Sequence, residues 1–279
     1  MSTAADTLAI KRRTFGTNFW VVVLVVAGAI LVLNTGYGTW KASALGGAST
    51  SASNLRVDSQ RLANQGSDAV RGNAAAFATF KATRAQIDGD IQQLNASYGD
   101  TPVVSGAVAK VTETWTPLGA SAQRLADSEA AVTAFAGQAQ RFSQGVPQLQ
   151  ALLDELVRAM SSSGSPSSQV YMALRQVVIA GDMARRVTEV QAGGAGAAIA
   201  GQGLRRNAED FQQVMTGLRE GDPSRELQAL TNGNALAALT RADETWAQMR
   251  AELEAILGSS EQLFQAQAAA SALVAGSDQ

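Results

Sequence analysis

The stretch with the most chemical content is Asn54-Leu-Arg-Val-Asp-Ser-Gln-Arg-Leu-Ala-Asn64. Read as a helix, it has only Leu55, Leu62 and the later Ala69 as apolar seam residues, and the inward positions between them fall to Asp58, Ser59 and Gln65. A helix that packs in a bundle yet offers polar groups on its seam either pairs them internally or meets a ligand. Arg56 and Gln60 are four apart on one face, with Ser59 beside them and Arg61 next in line. A planar guanidinium flanked by a hydroxyl and an amide suits a small oxyanion or carboxylate. The same residues also suit an ion-paired surface face, with Arg56 or Arg61 on Asp58. Arg84 is a further candidate. It sits on the seam of the next helical tract, where it either snorkels from the edge or finds an acidic partner or a ligand. The ligand-binding candidates are thus Arg56, Ser59, Gln60, Arg61 and Arg84.

Catalytic constellations are missing from the rest of the chain. There is no cysteine and no histidine among the 279 residues, which removes thiol chemistry, disulfides, the commonest general base and the commonest metal ligands. Paired acids occur as Asp88 with Asp90, Asp154 with Glu155, Glu209 with Asp210, and Glu252 with Glu254. They are adjacent or two apart on helices, so they read as solvated faces and not as a shared dyad. Gly193-Gly-Ala-Gly196 lacks the lysine and the preceding strand of a phosphate loop. A net charge of −2 gives no basic face for nucleic acid. The expectation is a non-enzymatic chain with no cofactor and no metal.

These candidates need elements to hold them, and the first is a membrane anchor. Phe15 to Leu33 is apolar and free of charge, and as a helix it is about 28 Å long, close to the ~30 Å bilayer core. Lys11, Arg12 and Arg13 precede it, which places residues 1–14 in the cytoplasm and everything after the span in the periplasm. A cleaved signal peptide is the competing reading, with Ala42-Ser43-Ala44 as the cleavage pattern. Ala44 to Ser53 is either a flexible exit or a continuation of the anchor helix through Gly46 and Gly47, at about 1 kcal/mol per glycine.

Helical tracts then follow one another. Gly72-Asn73 reads as a turn with Asn73 as N-cap, and Phe77, Phe80, Ile87, Ile91 and Leu94 mark the next helix. A third begins near Ser105, with Pro117 as a kink, and Asp127-Ser-Glu129 opens a fourth that Pro147 either bends or divides. The Ser/Pro/Gly stretch from Ser161 to Ser168 is the best internal boundary. Beyond it, Gly193 to Gly196 and Gly221-Asp222-Pro223 are turns, and Trp246, Met249, Leu253, Ile256, Ser260 and Leu263 form the cleanest seam. A repeat underlies the pattern. Asp90-Ile-Gln-Gln-Leu94 returns as Asp210-Phe-Gln-Gln-Val214, Gly99-Asp100 as Gly221-Asp222, and Glu113-Thr-Trp115 as Glu244-Thr-Trp246. The expected architecture is all-α: a transmembrane helix over 15–36, then two tandem up-down, four-helix-type bundle modules over 37–163 and 164–279. The last is expected to be cut before a second span.

Leu-Arg-Val-Asp-Ser-Gln-Arg-Leu resembles the Arg-x-x-Ser-x-Arg box of the sensor module of PilJ-like type IV pilus methyl-accepting chemotaxis transducers, and of nitrate/nitrite sensor kinases. Gly72-Asn-Ala-Ala-Ala-Phe77 with Lys81-Ala-Thr-Arg84, Val146-Pro-Gln-Leu-Gln150 with Asp154-Glu-Leu-Val157, and Leu174-Arg-Gln176 with Ala184-Arg185 resemble the family's other segments. The resemblance implies the periplasmic sensor of an inner-membrane transducer governing twitching motility, paired as a homodimer through its first long helix. It implies a small anion or carboxylate ligand at the box, with Arg56 matching the anion-contacting arginine. A receptor that reads pilin by helix packing is the alternative, as is the input module of a sensor histidine kinase. Contact with a chemotaxis kinase or adaptor would run through a cytoplasmic part not in this chain. The second copy of the box carries Asp182 where its arginine would fall.

Overall fold

The structure is a computed structural model that describes residues 39–101 and 104–277. The expected membrane helix and cytoplasmic segment lie outside the described residues. Among the described residues no helix is long and apolar enough to cross a membrane.

Seven α-helices carry the described chain: α1 (Thr39–Ala69), α2 (Ala74–Tyr98), α3 (Ser105–Asp127), α4 (Glu129–Ser162), α5 (Ser167–Ala192), α6 (Ala197–Glu220) and α7 (Gly233–Ser277). A short 3-10 turn (Pro223–Arg225) joins α6 to α7, and the one bridge, Asp222 to Leu227, closes that loop. The all-helical class follows from composition and three/four spacing, since Ala-rich, aromatic-poor tracts favour helix.

Where the sequence leaves helix continuity open, the fold decides for continuity. α1 runs unbroken through Gly46 and Gly47. α4 is one helix with Pro147 inside it, and α3 likewise continues through Pro117. The turn at Gly72 stands where the sequence places it. Gly72 has φ +90°, its N–H donates to the Ala69 carbonyl at 2.9 Å, and the Asn73 carboxamide oxygen accepts from the N–H of Ala75 at 3.0 Å and of Ala76 at 3.3 Å. The serine-rich stretch forms the end of α4, a turn through Gly164 and the first residues of α5.

Two compact units arise. Among the described residues, unit 1 gathers those up to 66, those from 79 to 123 and those from 270 onward; unit 2 gathers residues 67–78 and 124–269. The core of unit 1 is built from Leu55 and Leu62 on α1, Phe80, Ile87, Ile91 and Leu94 on α2, Val108 and Ala122 on α3, and Leu273 at the end of α7. Gly276 brings α7 close to α3, because a β-carbon there would stand 2.1 Å from a Leu118 methyl. The core of unit 2 is built from Phe135, Phe142, Leu149, Leu153 and Leu156 on α4, Met183 and Val187 on α5, Phe211, Val214 and Leu218 on α6, and Trp246, Leu253 and Ile256 on α7. There α5 packs against both α4 and α6.

Candidate functional site

In unit 1 the box helix turns one carboxylate inward. Asp58 is only 5% exposed, lying one turn from each of Leu55 and Leu62. Its Oδ1 accepts from Arg61 Nη1 at 3.1 Å, and its Oδ2 accepts from Gln86 Nε2 of α2 at 3.0 Å. The Ser59 hydroxyl donates to the Arg56 carbonyl at 2.8 Å, a bond within its own helix. Gln60 is exposed and Arg56 is half-buried. One turn onward the Gln65 side-chain oxygen is buried with no hydrogen-bond partner. The box therefore places a buried acid at a helix-helix contact, flanked by a surface on which Arg56 and Gln60 stand.

Arg84 lies elsewhere. Its Nη1 donates to Gln123 Oε1 of α3, while its Nε, buried without a hydrogen bond, is 3.6 Å from Asp88 Oδ2. Trp115 Nε1 of α3 donates to the other oxygen of Asp88 at 2.8 Å. Arg84, Asp88, Trp115 and Gln123 form one cluster between α2 and α3, and Arg84 makes no hydrogen bond to the box. The structure brings Arg56, Ser59, Gln60 and Arg61 together on α1 and does not add Arg84 to them.

Gln86, Trp115 and Gln123 escape the sequence reading, because their partners are fixed by packing between helices. The repeated Glu-Thr-Trp is the signal that could have found one of them. Trp115 pins Asp88, and its counterpart Trp246 in unit 2 pins Gln212, with Nε1 donating to Oε1 at 2.8 Å. The acid pairs also do more than face solvent. Glu252 takes a bidentate pair of bonds from Arg141, Glu155 accepts from Arg241 at 2.6 Å, and Asp210 accepts from Arg225 at 2.7 Å.

Replacing Asp58 by alanine removes the charged acceptor shared by Gln86 and Arg61, both of which stand on exposed positions. The expected loss in unfolding free energy is about 1–3 kcal/mol. Urea denaturation checks it, and a double-mutant cycle with Gln86→Met is expected to show positive coupling between the two side chains.

The second-copy position, Asp182 on α5, is a pairing hub. Its Oδ1 accepts from Arg185, and its Oδ2 from Arg186 Nε at 2.7 Å and from Asn207 Nδ2 of α6 at 2.7 Å. Gly203 of α6 leaves the room for this, since a β-carbon there would lie 2.0 Å from Arg186 Nη1. The hydrogen bond from Arg185 leads in holding the Asp182 carboxyl down at about 2, below its ordinary 3.8; those from Arg186 and Asn207 assist and partial burial opposes. A carboxyl with a lowered folded-state value adds stability that is complete above the unfolded value and is lost as pH falls through the folded one. Between pH 4 and 2 the unfolding free energy is expected to fall by about 1–2 kcal/mol through this group, after allowance for solvent screening. Asp182→Asn is expected to remove that component of the acid slope in denaturation curves taken across the range.

Residues 159–272 match the PilJ family, "Type IV pili methyl-accepting chemotaxis transducer N-term". Over 258 residues the chain is 28% identical to Protein PilJ of Pseudomonas aeruginosa, covering 89% of this chain and 37% of that protein. Over 222 residues it is 28% identical to the putative methyl-accepting chemotaxis AlkN of Alcanivorax borkumensis, covering 79% of this chain and 32% of that protein. The chain thus spans about a third of the length of these curated relatives. It is PilJ-like over most of its length, and residues 159–272 are similar to the N-terminal region of type IV pili methyl-accepting chemotaxis transducers.

Proposed function

We propose that the chain is the sensing region of a membrane-bound, methyl-accepting transducer that controls type IV pilus motility. The observation that carries this reading is the family match over residues 159–272, joined to the similarity to PilJ along 89% of the chain. In this reading residues 15–36 anchor the protein in the inner membrane, and the helical residues after them form the periplasmic input, paired as a homodimer. The unbroken α1 supports the view that motion of the box helix travels along a stiff rod, since helix persists through Gly46 and Gly47.

The ligand assigned to the box is a small oxyanion or carboxylate held by Arg56 with Gln60 beside it. Calorimetry of the chain in detergent with nitrate, nitrite, acetate and succinate tests this. Saturable binding that Arg56→Ala abolishes is the expected result, and silence across the four anions would refute the assignment.

A second reading gains from one observation: Ser59 and Arg61 spend donors on the Arg56 carbonyl and on Asp58. A box so engaged suits reception of a pilus subunit by helix packing, with no small ligand. Site-specific crosslinking from position 60 that enriches pilin over an unrelated periplasmic protein is the result expected of that reading.

A further inference from the structure

Unit 2 carries a groove that the box does not account for and that borders the Trp246–Gln212 hydrogen bond. It runs along α6 and α7 as two adjoining hollows of about 550 and 510 Å³, which share Gln212, Arg250 and Glu254. Its charges are mixed and close to balanced. Arg205 and Glu209 line it from α6, four residues apart, and among the described residues neither makes an ion pair. Arg250 and Glu254 line it from α7, also four apart, with Arg250 Nε donating to Glu254 Oε1 at 2.9 Å and Nη1 reaching Gln212 Oε1 at 3.4 Å.

Those two bonds orient the guanidinium and leave its Nη2 edge without an acceptor among the described residues. A fork held in this way binds a carboxylate more readily than a freely rotating one, because less side-chain entropy remains to be lost. The opposite charge is also present, since Glu209 has no cation of its own. Between the charges the wall is apolar, formed by the half-buried Leu257 and Ala208. Gly258 closes the groove with a backbone whose missing β-carbon would meet nothing within 4 Å. The volume is ample for one small molecule, and the lining asks for one with an anionic end, a cationic end and a short hydrocarbon part.

We propose that this groove is a binding site for a zwitterionic α-amino acid, its carboxylate on Arg250 and Arg205, its ammonium on Glu209 and Glu254, and its side chain over Leu257 and Ala208. A bare anion is a poorer fit, because it would lie against two carboxylates. The site is separate from the box, which is in unit 1, so it can fail while the transducer reading stands.

The test is calorimetric titration of the whole chain with the standard L-α-amino acids. Each hit is paired with its deaminated carboxylic acid and its decarboxylated amine. At least one amino acid is expected to bind, with both analogues weaker by about tenfold or more, roughly one charge-assisted contact each. Gly258→Leu places a side chain in open space on a helix, so folding is retained while the groove is filled. That variant and Arg250→Gln are each expected to weaken binding by at least about tenfold. Circular dichroism and the thermal midpoint check that both variants are folded. Three outcomes would overturn the proposal: no amino acid binds, the carboxylic acid binds as well as the amino acid, or binding is unchanged in Gly258→Leu.

Discussion

Gly72→Ala is expected to lower the unfolding free energy by about 2–5 kcal/mol, the sum of left-handed backbone strain and an overpacked contact. The turn between α1 and α2 holds Gly72 at φ +90°, a region that costs an L-residue energy. A β-carbon there would lie 2.1 Å from the Ala136 β-carbon of α4, with the Val132 carbonyl oxygen 3.5 Å away. Neither neighbour is the far end of a flexible side chain, so the backbone itself must move. Gly164→Ala is the control. Gly164 also has positive φ, +74°, but open space surrounds its absent side chain. It is expected to lose only about 1 kcal/mol, the strain alone. Urea midpoints at unchanged slope separate the two contributions, and equal losses at both sites would contradict this account of the turn.

Trp246→Ala is expected to cost about 3–5 kcal/mol, the range for truncating a buried aromatic. Trp246 is 2% exposed, its ring centroid is 4.5 Å from that of Phe211 at an interplanar angle of 43°, and its indole N–H holds Gln212. Trp246→Phe keeps much of the packing and loses the hydrogen bond, so it is expected to lose less than the alanine variant. The indole hydrogen bond contributes only about 1 kcal/mol of the whole by the usual net value. If both substitutions cost the same, the hydrogen bond and not the packing would dominate, against the burial seen here.

The seam residues were legible because they obey a period that packing rewards. Phe77, Phe80, Ile87, Ile91 and Leu94 on α2, and Trp246, Met249, Leu253 and Ile256 on α7, are all buried as their spacing predicts. The Asn73 cap was legible for a local reason, since cap, turn and donor lie within three residues. Continuity through Gly46-Gly47 and Pro147 was not, because local propensity only sets a cost there and the sum over a long helix decides whether it is met. The box was half legible. Asp58 was correctly read as inward, and its pairing with Arg61 is the ion-paired alternative the spacing allowed. Its second partner, Gln86, lies 28 residues away and is fixed by how α1 meets α2. For Arg84 the seam position allows snorkelling, an acidic partner or a ligand. The acid is Asp88, one turn along the same helix, yet the firmer bond goes to Gln123. The repeat aligns Trp115 with Trp246, and each donates its indole proton to a side chain of a neighbouring helix, a likeness that only packing reveals.

The most direct test of the sensing role is genetic. Residues 39–277 are excised in frame from the gene in its own host, protein levels are matched, and twitching zones are measured. The account predicts loss of normal twitching control, restored when the segment is returned. Twitching indistinguishable from the parent strain would contradict it.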